Sequence, residues 1–176
     1  MKILIAYATT EGQTRKICRF CADTLIEAGH SVELLQVQGD DRIDPALYDA
    51  VILAASVHIN RFQKDMVRFA TANAAALSRK PSLFLSVSLA VCGGEPEELA
   101  ALDKIVAEFS GETGFHPGHV EQVAGAFRFT EYDFFKSLAM RYIASRRDQD
   151  VDPHSDTEYT DWDALRITLT DWLATL

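Results

Sequence analysis

The residues best placed to do chemistry stand near the start of the chain, in the turn Thr9-Thr10-Glu11-Gly12-Gln13-Thr14. A hydroxyl-rich turn with one glycine, set between an apolar run and a helical pattern, is a candidate phosphate cradle. Backbone N–H groups and a helix N-terminus face the anion, and the hydroxyls add donors. Neither the GxGxxG fingerprint nor the lysine-bearing P-loop is present, which disfavours a dinucleotide or a nucleoside triphosphate. The competing reading is a plain capping box, Thr10 with Gln13, which marks a helix start and no ligand. A second candidate is His58, since imidazole exchanges its proton near pH ~6.5. The alternative for it is a loop histidine bonded to backbone or solvent. Cys18-Arg19-Phe20-Cys21 has the C-x-x-C spacing, but a redox pair needs its first thiol at an exposed helix start, and here it falls a turn inside. Core packing is the expectation, Cys92 reads as incidental, and no metal-ligand spacing occurs.

These residues must be held by regular elements. Lys2–Ala8 is an apolar run rich in β-formers, the pattern of a strand buried on both faces. Thr14–Ala28 carries Ile17, Cys18, Cys21, Leu25 and Ala28 on one helical stripe, with Gly29 as terminator. Ser31–Val37 predicts a second strand, and a short helical turn fits between Gly39 and Asp49. Ala50–Val57 is the clearest buried strand, followed by a helix over Gln63–Leu77. Ser82–Val91 predicts a fourth strand, Pro96 opens a helix running to Gly111 or Gly114, and Val120–Phe127 is a fifth strand. Thr160–Leu176 closes the chain as a helix with Asp161 and Asp163 in its first turn. Fivefold strand–helix alternation predicts an α/β doubly wound five-stranded parallel sheet in the order 2-1-3-4-5. The whole of 1–176 reads as one domain, with an unneeded insertion at 128–159 between strand five and the last helix.

Composition narrows the class. The chain has 176 residues, 48% of them hydrophobic, which is enough for one buried core. A net charge of −9 argues against nucleic acid and suits an acidic redox carrier or a cytoplasmic protein. Three cysteines make no disulfide framework, and no run reaches the ~18–20 apolar residues of a membrane span. The chain enters its first strand without a signal-peptide layout.

The spacing of the Thr9–Thr14 turn resembles the phosphate loop of flavodoxins, which binds FMN. Five stretches in order, EGQT at Glu11–Thr14, AASV at Ala54–Val57, SVSL at Ser86–Leu89, AGAFRF at Ala124–Phe129 and YTDW at Tyr159–Trp162, resemble the flavodoxin-like, menaquinone-dependent protoporphyrinogen oxidases. The resemblance includes the insertion, which ordinary short-chain flavodoxins lack. It implies FMN across the carboxyl ends of strands one, three and four. Thr9, Gln13 and Thr14 would hold the phosphate, Gly12 would let the backbone approach, and Thr10 and Glu11 complete the loop. Glu11 stands where a threonine is usual and is expected to turn outward. Ser56, Val57 and His58 would border the isoalloxazine on one side, and Ser88, Leu89 and Ala90 on the other. The family commonly has Arg, Tyr and Gly after the third strand, where this chain has His58, Ile59 and Asn60. Asn60 can take φ > 0 in place of glycine, but Ile59 supplies no aromatic plate.

The resemblance implies oxidation of protoporphyrinogen to protoporphyrin with electrons passed to a quinone. The alternative is an electron carrier of the flavodoxin type with no substrate of its own. The insertion holds Arg128, Lys136, Arg141, Arg146 and Arg147 against Glu131 and Asp133, a local excess of positive charge in an acidic chain. Beside them Phe134, Phe135, Leu138, Ala139, Tyr142 and Ile143 recur at helical spacing. Three readings are open for this stretch. It can lie on an anionic membrane surface at the cytoplasmic face of the inner membrane, present its cations to porphyrinogen propionates, or pack on the domain. The oligomeric state is not legible.

Overall fold

The structure, a computed structural model, describes residues 1–39, 41–93, 96–127 and 157–176. Its centre is a five-stranded parallel sheet. The strands are β1 (Lys2–Ala8), β2 (Ser31–Gln36), β3 (Ala50–His58), β5 (Ser82–Ser88) and β6 (His119–Ala124), in the order β2-β1-β3-β5-β6. This is the expected 2-1-3-4-5 arrangement. A two-residue strand β4 (Arg61–Phe62) joins it by folding back antiparallel on β3.

Among the described residues the helices are α1 (Gln13–Glu27), α2 (Lys64–Leu77), α3 (Pro96–Thr113) and, as the last, α4 (Trp162–Leu173), with 3-10 turns at Pro45–Leu47 and Ala90–Gly93. Alternate residues along each strand point to opposite faces, so one strand feeds two cores. Leu4, Leu53 and Phe84 pack under α2 and α3 with Met66, Phe69 and Phe109. Ile3, Ile5, Ile52 and Leu85 pack under α1 and α4 with Ile17, Leu25, Leu169 and Trp172. Cys18 and Cys21 are fully buried in this second core as free thiols, and burial raises both pKa values, Cys21 to about 12. Neither is a reactive thiolate. No described helix is long and apolar enough to cross a membrane.

Most element ends fall within one to three residues of the sequence expectation, and three departures from it have a definite cause. The fourth parallel strand stops at Ser88 rather than Val91, because the Ser88 hydroxyl accepts the Ala90 N–H at 3.1 Å and turns the chain into the 3-10 segment. The fifth breaks at Gly125. That residue still donates to the Ser88 carbonyl at 3.1 Å, while its own carbonyl accepts from Tyr159 N at 3.1 Å. The chain then leaves the sheet as β7 (Ala126–Phe127), paired antiparallel with β8 (Thr157–Glu158). Helix α1 does not start with the capping box. Gly12 is its N-cap at φ 90°, and the Gln13 side chain turns elsewhere. The five basic residues Arg128, Lys136, Arg141, Arg146 and Arg147 lie outside the described residues.

Candidate cofactor site

The carboxyl ends of β1, β3 and β5 open into a cleft of about 840 Å³. Thr9, Thr10, Glu11, Gln13, Thr14, Ser56, Val57, His58, Ser88, Leu89 and Ala90, all named from the sequence, line it. Gly12 sits between them as the N-cap of α1. Two segments distant in sequence thus converge because parallel pairing puts their strand ends on one edge.

At one end of the cleft is the β1–α1 turn. The Thr9 hydroxyl oxygen accepts the Gly12 N–H at 3.0 Å, which sets the turn and leaves its own hydrogen to donate. Helix α1 has no side-chain cap and no acidic residue in its first turn. By contrast, α4 is capped by Asp161, whose carboxylate accepts the Ala164 N–H at 2.9 Å. An uncapped fifteen-residue helix leaves its first N–H groups and positive dipole end to an anion. A Cβ built on Gly12 would meet nothing within 4 Å, so the space before the helix is open. These features fit a phosphate monoester. Gln13 is differently employed: its amide donates to the Thr160 hydroxyl at 2.9 Å, which donates to the Ala124 carbonyl at 2.7 Å. Its side chain ties the turn to the segment after β8. Glu11 is half-buried and contributes to the lining.

On the facing side, β3 and β4 form a two-residue hairpin with Ile59 at φ 50° and Asn60 at φ 58°. Two successive positive φ values are those of a type I′ turn, whose twist suits the flanking strands. The asparagine accepts this conformation as expected, whereas a β-branched isoleucine adopts it under strain. Ile59 is 80% exposed at the tip. Beneath it, His58 Nε2 lies 3.1 Å from Ser56 Oγ, and burial lowers the His58 pKa, so the ring is held neutral at neutral pH.

Sequence reasoning missed Gln63. Its amide nitrogen donates to Ser56 Oγ and, at 3.3 Å, to Thr10 Oγ1, linking the anion turn to the Ser56–His58 pair. Gln63 Oε1 is buried without a hydrogen-bond partner among the described residues. No local motif marks a glutamine one residue before a helix as a bridge. Glu98 from α3 and Ala126 from β7 also line the cleft unforeseen. Glu158, beside Ala126 in the ribbon, holds α1 from outside. Its carboxylate accepts from Lys16 Nζ and, at 2.9 Å, from Trp162 Nε1. Desolvation acts to raise its pKa, and the hydrogen bonds outweigh this and hold it below the usual range.

A family model described as "Flavodoxin domain" matches residues 4–154. The chain belongs to the flavodoxin-domain family. Membership implies FMN as the cofactor, and the open, uncapped anion end and the apolar walls of this cleft fit it. The chain is 27% identical over 165 residues to "Protoporphyrinogen IX dehydrogenase [quinone]" of Escherichia coli (strain K12), covering 94% of this chain and 91% of that one. It is 26% identical over 174 residues to the protein of the same name from Leishmania major, covering 98% and 75%. Among solved structures it resembles the flavodoxin of Streptococcus pneumoniae TIGR4, with TM-score 0.58, 15% identity and full coverage of both chains. That last likeness speaks to the flavodoxin fold. The family and the names of the relatives together support an oxidoreductase.

Proposed function

We propose that this flavodoxin-domain chain uses FMN to oxidise protoporphyrinogen IX to protoporphyrin IX and passes the electrons to a quinone. The observation that carries this reading is the reach of the similarity. The sequence likeness to relatives named protoporphyrinogen IX dehydrogenase [quinone] runs over 94% of this chain and 91% of theirs, whereas the likeness to flavodoxins is one of fold.

FMN, when bound, supplies the two-electron redox chemistry. The chain's own residues bind and orient. The Gln13 and Thr14 backbone N–H groups at the start of α1, with the Thr9 and Thr14 hydroxyls, would hold the phosphate. Ser56–His58 and Ser88–Ala90 would flank the ring system and exclude water from it. The apolar side chains of Val57, Val87, Leu102 and Ile105 give that part of the cleft a low dielectric. Within the lining, His58 has the ordinary pKa nearest neutrality, and its neutral Nε2, already beside Ser56 Oγ, can take up or return a proton. Gln63 steadies both Ser56 and Thr10.

The test is a fluorescence assay on protein reconstituted with FMN. Adding protoporphyrinogen and a quinone under anaerobic conditions should give porphyrin emission that depends on both flavin and quinone. Emission no faster than in protein-free controls overturns the reading. The second reading, an electron carrier docking on basic partners, is favoured by the net charge of −9. It predicts reduction of a basic redox protein and no porphyrin. The basic stretch from Arg128 to Arg147 is proposed as the part that meets the substrate or an anionic membrane.

A further inference from the structure

A second groove, of about 880 Å³, lies beside the cofactor cleft and shares with it the wall made by His58, Ile59, Asn60, Phe62 and Gln63. Its two sides differ in kind. The floor is apolar, with Phe62, Val67, Ile105 and Phe109. One wall carries Arg61, Lys64 and Arg68, all exposed, and none makes an ion pair among the described residues. The opposite wall carries Glu108 and Glu112, and Glu108 faces Lys104 at 3.9 Å. The cofactor cleft itself has no lysine or arginine among its described lining residues, and it has Glu11 and Glu98. Cationic recognition is therefore segregated into the second groove.

We infer that this groove binds the carboxylate-bearing edge of an amphiphilic tetrapyrrole, with Arg61, Lys64 and Arg68 as its anion anchors, while the rest of the macrocycle reaches the cofactor cleft over the Ile59–Asn60 tip. The inference rests on the porphyrinogen reading and adds a substrate subsite to it. A macrocycle with two propionates on one edge is apolar over its face and dianionic at that edge, the same division the groove shows. An acidic protein repels a dianion at long range, so binding needs a local reversal of sign. Arg61, Lys64 and Arg68 outnumber Glu108 and Glu112 in this groove by one, and they stand together on one wall, so that wall supplies it within a Debye length of about 8–10 Å. The arginines can take a carboxylate through two parallel N–H donors. The 80%-exposed Ile59 gives the partition between the two cavities an apolar crest for the ring face to cross.

The experiment compares protoporphyrin IX with its dimethyl ester, which keeps the ring and lacks the charges. Both are titrated, in the same detergent, into FMN-loaded protein and followed by porphyrin fluorescence. The wild type should bind the diacid more tightly than the diester, with the preference shrinking as salt is added. In the triple variant Arg61→Gln, Lys64→Gln, Arg68→Gln, affinity for the diacid should fall about 10- to 100-fold, at roughly 2- to 5-fold per exposed cation. Affinity for the diester should stay unchanged, as should the flavin content. The charge-keeping pair Arg61→Lys, Arg68→Lys should retain most of the diacid preference, which separates lost charge from lost fold. A diacid preference that survives in the triple variant overturns the assignment, as does an equal loss for both porphyrins. If the wild type oxidises porphyrinogen and the variants leave KM and affinity unmoved, only the groove assignment fails. If the wild type neither binds porphyrin nor oxidises porphyrinogen, the functional reading fails with it.

Discussion

At the scale of single residues, the cleft works by leaving groups open at one end and closed at the other. Thr9 and Thr14 flank an uncapped helix start, so their hydroxyls have an anion as the natural acceptor. A hydrogen bond to a charged group contributes about 1.5–3 kcal/mol. Thr9→Ala with Thr14→Ala should therefore weaken FMN binding by at least two orders of magnitude, read as the dissociation constant from flavin fluorescence quenching. Riboflavin, which has no phosphate, should bind both proteins alike. His58 gives a test with a sign. Burial depresses its pKa in the folded protein below the ordinary ~6.5, so the fold favours the neutral ring. The stability this carries is complete above about pH 6.5 and is lost as the pH falls toward the depressed folded value. Thermal unfolding should show a wild-type decline below pH 6.5 that is shallower in His58→Gln. Equal slopes would mean that the ring titrates alike in both states.

At the scale of elements, the hairpin that divides the two cavities is held in an unfavourable conformation. A β-branched residue in the left-handed region costs roughly 1–2 kcal/mol. Ile59→Gly should thus raise stability by about 1 kcal/mol in chemical denaturation, unless the glycine's added chain entropy offsets it. A fall of that size would show that the isoleucine makes contacts worth more than its strain. The same hairpin marks how far the elements were legible in sequence. β1 is read residue for residue, since a run apolar on both faces and ended by a hydroxyl cluster has few alternatives. Helix ends fell within one to three residues for the same reason. What escaped depends on contacts between distant parts. The Ser88 turn is the local exception, set by the Ser88 hydroxyl on the Ala90 N–H within a stretch that reads as strand to Val91, whereas only the departure of β7 toward β8 explains the Gly125 break. The Thr10–Gln13 capping pattern is present in sequence, but Gln13 is taken by Thr160, 147 positions away. Gln63 and the three cations beside it belong to no motif. They acquire meaning only when α2 is docked next to β3.

Over the whole molecule, charge is unevenly shared. The chain carries −9, yet an excess of basic residues runs from Arg128 to Arg147, and three further cations line the second groove. Each basic residue near an anionic bilayer is worth about 1 kcal/mol, which the acids between Asp148 and Asp163 oppose. Arg146→Glu with Arg147→Glu should reduce co-sedimentation with vesicles containing phosphatidylglycerol or raise KM for porphyrinogen, with flavin content unchanged. If both stay at wild-type values, these arginines serve neither contact, and the electron-carrier reading gains. The groove variants and this pair act on separate stretches of chain, so their effects on KM should be additive if each meets a different part of the substrate.

The ribbon of β7 and β8 has a consequence for how this chain can vary. Phe127 and Thr157 are paired across the ladder, and Gly125 ties both strands to the sheet. The two ends of the stretch 128–156 are therefore already held together by this pairing. Closure entropy grows only logarithmically with length, about 0.6 kcal/mol for each doubling. Changes of length between Phe127 and Thr157 should therefore cost the sheet little, which chemical denaturation of insertion variants would check. Ala126 of that ribbon lines the cleft, so the ribbon joins the point of variation to the wall of the candidate site. A redox scaffold of this kind can change its clientele at one address while its core is left alone.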